Sequence, residues 1–326
     1  METHDAFTSR IDLAALQQAV TRLKAETRKI LVGQQQMVEL LIAAVLADGH
    51  VLIEGVPGIA KTLAARLLAR TLSVGFSRIQ FTPDLMPSDV LGTSVYNFKN
   101  SEFEFKRGPI FSNLILIDEI NRAPAKTQSA LFEVMEERQA SIEGATHSMA
   151  RPFFVVATQN PIEHEGTYRL PEAQLDRFLF KIEVDYPSLE EEAVILAEFH
   201  GRHNENDLRL VEPVLDAAQV LACQQKARAV HIEADLIQYI ARLVNQTRNN
   251  SALYLGASPR ASLGIMTGAK AFAAMRGRDF VTPEDIREVT LPVLRHRILL
   301  TPEKEMEGVG PDEVIKQIIE KIEVPR

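Results

Sequence analysis

Residues 55–62 read Gly-Val-Pro-Gly-Ile-Ala-Lys-Thr and follow directly on the apolar run Val51-Leu52-Ile53. A buried strand that delivers the chain into a glycine-bearing loop ending in Lys-Thr has the pattern of a phosphate-binding loop. Gly55 and Gly58 let the backbone bend so that N–H groups point at phosphate oxygens. Lys61 can reach the β- and γ-phosphates, and the Thr62 hydroxyl can hold Mg2+. The run Leu63 to Leu72 reads as a helix whose N-terminus faces the anion. Val56, Pro57, Ile59, Ala60 and Leu63 complete the stretch that would touch nucleotide. Ala60 stands where the usual pattern has a second glycine, and helical geometry, which a methyl group tolerates, is expected there. The plainer reading is a Gly-Pro turn ahead of an ordinary helix. Strand, loop and helix in this order favour the phosphate loop.

A second motif is Leu114-Ile115-Leu116-Ile117-Asp118-Glu119, an apolar strand ending in two carboxylates. In a phosphate-loop fold the first acid sits beside the metal and orders its water ligands, and the second polarises the attacking water. Adjacent acids at a strand end can also be merely solvated, and it is the pairing with Lys61-Thr62 that makes the reading specific. A third element is the strand 153–157, which ends in Thr158-Gln159-Asn160-Pro161. A polar group at that tip can touch the γ-phosphate or the water, although Asn-Pro alone reads as a turn.

The rest of the chain frames these motifs. Helices are expected over 11–29 and 35–47, strands over 51–54, 77–81, 113–117, 153–157 and 180–184, and a helix over 126–138. Residues 84–96 carry helical and turn signals. Phe98 to Lys106 suits a small hairpin, and Ala140 to Met149 another that pivots on Gly144. Strands alternating with helices imply a parallel sheet covered on both faces. From Leu189 onward the pattern is nearly all helical. The expected domains are therefore 1–187, an α/β core with an N-terminal helix, and 188–326, a helical domain.

The chain has 326 residues, 46% of them hydrophobic, enough for a large core and two domains. Its net charge of −8 argues against a polyanionic partner such as DNA. One cysteine, Cys223, rules out a disulfide framework and a cysteine zinc cluster, and it fits a reducing cytoplasm. Residues 1–10 lack the basic start and apolar stretch of a signal peptide. The apolar segment 37–46 is too short to span a bilayer, so no membrane insertion is expected.

The blocks GVPGIAKT, LILIDEINRAPAKTQSALFEVMEE, VVATQNPIEHEGTYRLPEAQLDRF and GASPRA resemble the MoxR family of AAA+ ATPases, from about Val32 to Arg297. The family's group is similar to magnesium chelatases and minichromosome-maintenance helicases, with which it shares an insert in the second helix, which 98–106 would match, and a hairpin before sensor 1, which 138–149 would match. The resemblance implies an AAA+ phosphate-loop core with a central parallel sheet and a C-terminal all-helical lid. It implies ATP and Mg2+ as ligands, with Lys61 and Thr62 as the Walker A pair and Asp118 and Glu119 as the Walker B pair. Asn160 would be sensor 1, Arg177 the arginine finger reaching a neighbour's nucleotide, and Arg260 sensor 2. Val32-Gly33-Gln34 would lie against the adenine. A homo-oligomeric ring, usually a hexamer, is implied, with chaperone-like work on partners that often carry von Willebrand factor A domains, or on metal-cofactor maturation targets.

Other readings stay open beside these. A surface salt bridge would explain Arg177, and Arg260 could cap a helix or pair with a carboxylate. Arg122 fits a subunit interface or a structural ion pair. His200 and His203 suit a solvated loop better than a metal site. Arg295-His296-Arg297 complements a helix C-terminus, and Glu190-Glu191-Glu192 suits a helix N-terminal turn. Competing functions are an AAA+ nucleic-acid motor or loader, and a slowly hydrolysing nucleotide-dependent scaffold. No Asn-Lys-x-Asp guanine motif occurs.

Overall fold

Charge-free apolar runs set the centre of the molecule. The computed structural model describes residues 11–56, 58–160, 168, 170–203, 205 and 207–325. Among the described residues up to 184 the strands are β1 (His50–Gly55), β2 (Phe76–Gln80), β3 (Gly92–Asn97), β4 (Glu102–Arg107), β5 (Leu114–Asp118), β6 (Gln139–Ile142), β7 (Ala145–Ser148), β8 (Phe154–Gln159) and β9 (Phe178–Val184). Five of them form one sheet in the order β2-β5-β8-β1-β9, every neighbouring pair parallel. Leu114 to Ile117 and Val155 to Ala157 are almost wholly buried, as strands in the middle of a parallel sheet must be when helices cover both faces. The order places β8 between β1 and β5, so the phosphate loop, the acid pair and Asn160 all leave the same end of three adjacent strands. A reversal of strand order at such an end is where open α/β sheets bind ligands.

The two hairpins both form, one with different limits. β6 and β7 turn at Glu143 and Gly144, both with positive φ (50° and 82°), close to the expectation. The other hairpin runs from Gly92 to Arg107, not from Phe98. Phe98 sits in its turn, and of the segment 84–96 only Pro87–Leu91 is helical. Gly92 starts the strand because the backbones touch there: φ is 98°, and a Cβ would stand 2.2 Å from the Lys106 carbonyl oxygen. The hairpins meet where Phe105 stacks on His147, ring centroids 4.3 Å apart. Tyr96, Phe98 and Phe103 remain exposed, with Tyr96 edge-on to both other rings.

His50 opens β1 inside the sheet's shell. Its Nδ1 accepts from Val155 N–H at 3.1 Å and its Nε2 lies 3.2 Å from the Met135 carbonyl, which fixes the neutral tautomer. Burial, with the nearby Arg138 charge, pushes the imidazole down to about 3 from 6.5. The folded chain therefore stays unprotonated where the unfolded chain takes up a proton. This contribution is complete above pH 6.5 and is lost as pH falls toward 3, by about 1.4 kcal/mol per pH unit. Denaturant unfolding between pH 6.5 and 4.5 should give a visibly flatter loss for His50→Asn than for the parent; equal slopes would contradict this assignment.

Two compact units divide at Leu221/Ala222, elsewhere than the expected 187/188. Residues 188–221 belong with the α/β unit, which begins at Leu23, because hydrogen bonds from backbone amides and arginine side chains tie them there. Val214 and Leu215 N–H both donate to the Thr71 carbonyl, Arg70 Nε donates to Val211 O, and Arg202 donates to Lys29 O. Among the described residues the second unit comprises 222–325 together with 11–22. Its helices include Ala234–Arg248, Pro259–Met275, Pro283–Leu294 and Pro311–Lys321. It is not helical throughout, since Leu253–Leu255 and Leu299–Leu300 pair as a short antiparallel ribbon. Inside it the fully buried Asp285 receives Arg276 at 2.7 Å, Arg278 through two bonds, and Thr282 N–H. Burial pushes this carboxyl up, but the Arg278 guanidinium and the Thr282 amide outweigh it and hold it below the usual carboxylate range.

Candidate active site

The phosphate loop is built by β1 and the helix Lys61–Thr71. Gly55 admits no side chain: a Cβ would lie 2.4 Å from Ile59 Cδ1 and 2.6 Å from Val184 O. Gly58 has φ 88° and nothing within 4 Å of a Cβ position. Gly58 therefore faces open space just ahead of a helix N-terminus, where an anion is favoured. Val56 lies in the loop, and Pro57 lies outside the described residues. Ile59 is buried. Ala60 corrects the expectation of tolerated helical geometry. It is left-handed, φ 62° and ψ 21°, a conformation that costs a side-chain-bearing residue about 1–2 kcal/mol and explains why glycine is usual there. Lys61, first in the helix, donates to Gly55 O at 2.6 Å and reaches Gln159 O at 3.4 Å. Thr62 and Leu63 follow in the same first turn, half-buried.

The acid pair ends β5. Asp118 is buried and accepts from Thr158 Oγ1 at 3.1 Å and from Arg78 Nε at 2.6 Å. Glu119 has left-handed backbone, φ 57° and ψ 51°. Its N–H donates to Thr158 Oγ1 at 3.1 Å, so this one hydroxyl links both acids. Glu119 Oε2 accepts from Gln80 Nε2 at 2.8 Å and forms an ion pair with Arg122, whose Nε lies 3.0 Å away. Asn160 is buried just past β8. The carboxylate of Asp118 and the hydroxyl of Thr62 are hard oxygen donors of the kind Mg2+ takes.

Sequence reasoning missed Arg78 and Gln80, and gave Thr158 no role. The signal was weak but present. Arg78 and Gln80 alternate onto one face of a strand, and its register sets Gln80 opposite Asp118. Only the strand order makes that visible.

Arg177 stands in the turn before β9. Its Nη1 donates to Phe132 O, and its Nε lies 3.9 Å from Glu136 Oε2, a contact compatible with the ion-pair reading. Gly33 and Gln34 both have positive φ (68° and 55°) and, with Val32, lead into the helix Gln35–Leu46. Glu191 Oε1 lies 3.1 Å from where a Gly33 Cβ would be, and Gln34 Nε2 donates to Asp185 O at 3.3 Å. Arg260 is exposed in the first turn of Pro259–Met275, in the second unit, and its N–H donates to Ser258 Oγ at 3.2 Å. Ser188 and Glu191 form a reciprocal cap that puts Glu190–Glu192 at a helix N-terminus. Arg295 caps a helix C-terminus and clasps Asp312. Among the described residues no cluster of three His, Cys, Asp or Glu could hold a metal, and His200 and His203 form none. No described helix is long and apolar enough to cross a membrane.

Strand order, loop and acid pair together define a phosphate-loop nucleotide-binding protein of AAA+ type. The ATPase family associated with various cellular activities (AAA) matches residues 50–180, and the AAA lid domain matches 245–318. The chain is 46% identical to Chaperone MoxR1 of Mycobacterium tuberculosis over 96% of this chain and 84% of that one. It is 45% identical to the uncharacterized protein YeaC of Bacillus subtilis over 91% and 92%. A crystal structure of a candidate ATPase from Cytophaga hutchinsonii superposes with a TM-score of 0.89 at 42% identity, covering 96% of this chain and 97% of the other. The chain belongs to the MoxR family of AAA+ ATPases.

Proposed function

We propose that the chain binds Mg-ATP at the Gly55–Thr62 loop and hydrolyses it in a homo-oligomeric ring, a hexamer by family precedent, to remodel or activate a partner protein. The observation that carries this reading is the convergence of Lys61, Asp118, Glu119 and Asn160 at one end of β1, β5 and β8. Loop N–H groups and Lys61 bind the phosphates, which requires Lys61 to exchange its present carbonyl partners for phosphate oxygens. Bound Mg2+ would supply neutralisation of phosphate charge, with Thr62 and Asp118 as the residues to hold it. Arg78 would have to yield its place on Asp118 when the metal enters. Glu119 takes the proton from water and Asn160 helps to place that water. Arg177 completes a neighbour's site, and Arg260 and the Val32–Gln34 segment contact nucleotide. Cytoplasmic work with a partner bearing a von Willebrand factor A domain, or on a metal-cofactor maturation target, fits this reading and the chaperone name of the mycobacterial relative.

The paired hairpins are the surface for that partner. Three rings exposed on one hairpin, which meets the other through the Phe105–His147 stack, make an exposed apolar patch. Shortening 140–149 should leave basal ATP turnover nearly intact and abolish stimulation by a captured partner. Equal loss of both activities would make the hairpin structural. A DNA titration at low salt tests the motor alternative, which demands a steep salt dependence.

A further inference from the structure

The acid pair is followed by a tight 3-10 turn, Ile120–Arg122, that is fastened from several sides. Ile120 and Ala123 are fully buried. Gln128 Nε2 donates to Ile120 O at 3.2 Å, and Tyr168 N–H donates to Asn121 O at 2.6 Å. Arg122 N–H closes the turn on Glu119 O at 2.9 Å. The backbone that carries Arg122 is thus fixed to the same buried frame that carries Glu119.

From that turn Arg122 Nε meets Glu119 Oε2 at 3.0 Å, while Gln80 Nε2 meets the same oxygen at 2.8 Å from β2. Two donors from separate segments converge on one oxygen of a residue whose backbone is already in a left-handed, strained conformation. A carboxylate clamped this way presents its other oxygen, Oε1, in one direction. We propose that Arg122 is a positioning residue for Glu119 of its own subunit, and that it does not serve as a finger for the neighbouring site. The inference rests on the hydrolytic reading above. In that reaction Oε1 accepts a proton from water as the water oxygen bonds to the γ-phosphorus. The bond from that phosphorus to the bridging oxygen breaks, its electron pair leaves on ADP, and the proton passes on with inorganic phosphate. Arg122 contributes only the aim of the base. Aim matters, because a displacement of about 1 Å can cost on the order of a hundredfold in rate. A guanidinium that reached across an interface would have to abandon Glu119 to do so.

Arg122→Ala should keep ATP affinity and KM, and lose about ten- to a hundredfold in kcat. Arg122→Lys, which keeps a donor and a charge, should recover part of that loss. The unfolding midpoint of each variant is measured beside its kinetics. The decisive arm mixes Arg122→Ala with Glu119→Gln under conditions where labelled subunits exchange. If Arg122 serves its own Glu119, every site lacks one member of the pair and turnover stays at the level of the separate variants. Recovery on mixing would show action across the interface and overturn the proposal. So would an unchanged kcat, or a raised KM at constant kcat, which would make Arg122 a nucleotide contact. A lowered midpoint with lysine as poor as alanine would place Arg122 in the fold and also overturn it. Absence of turnover in the parent chain would instead defeat the hydrolytic reading, and this inference with it.

Discussion

Arg177→Ala is expected to bind ATP as the parent chain does and to hydrolyse it about three to five orders of magnitude more slowly, the worth of an arginine finger in phosphoryl transfer. Turnover per subunit in the parent should rise with protein concentration until assembly is complete. Mixing Arg177→Ala with Lys61→Ala supplies the sharper arm. Some sites of a mixed ring would combine an intact Lys61 with an intact Arg177 from the Lys61→Ala neighbour, and those sites should regain turnover. Within one chain Arg177 bonds the Phe132 carbonyl and lies near Glu136, which a purely structural role would also explain. No recovery after verified subunit exchange, with a lowered unfolding midpoint for Arg177→Ala, would settle on that structural role.

Much of the local structure around the candidate site was legible because local chemistry dictates it. A charge-free run must be buried, glycines must turn the chain, and Lys-Thr at a helix start has few other uses. β1, the loop, β5 and the acid pair follow from that. Features set by distant contacts were not legible. The left-handed geometry of Ala60 arises from how the loop joins strand to helix, and nothing in an alanine announces it. Gln80 and Arg78 reach the carboxylates only because β2 pairs with β5, a neighbour far along the chain. The start of the first hairpin at Gly92 depends on backbone approach to Lys106. The ribbon of 253–255 with 299–300 hides in a proline-punctuated helical pattern, since strands of two or three residues carry no measurable period. Residues 188–221 change to helical character at Pro187, yet their carbonyl and guanidinium bonds return them to the α/β unit.

Glu119→Gln should lose turnover by about two to four orders of magnitude while ATP still binds. The amide keeps the shape and the hydrogen-bonding capacity toward Arg122 and Gln80 in altered form, and it removes the group that takes the proton. Because hydrolysis stops after binding, this variant should also accumulate in the ATP-bound form and retain its partner during affinity capture. Unchanged turnover would move the general-base role away from Glu119.

The central claim is that the Gly55–Thr62 loop holds the phosphates of ATP, and equilibrium ATP binding by the parent, Glu119→Gln and Lys61→Ala measured side by side tests it most directly. Glu119→Gln should match the parent. Lys61→Ala should bind about ten- to a hundredfold more weakly, the loss expected for a hydrogen bond to a charged group. Parent-like ATP affinity in Lys61→Ala would contradict the assignment of the loop.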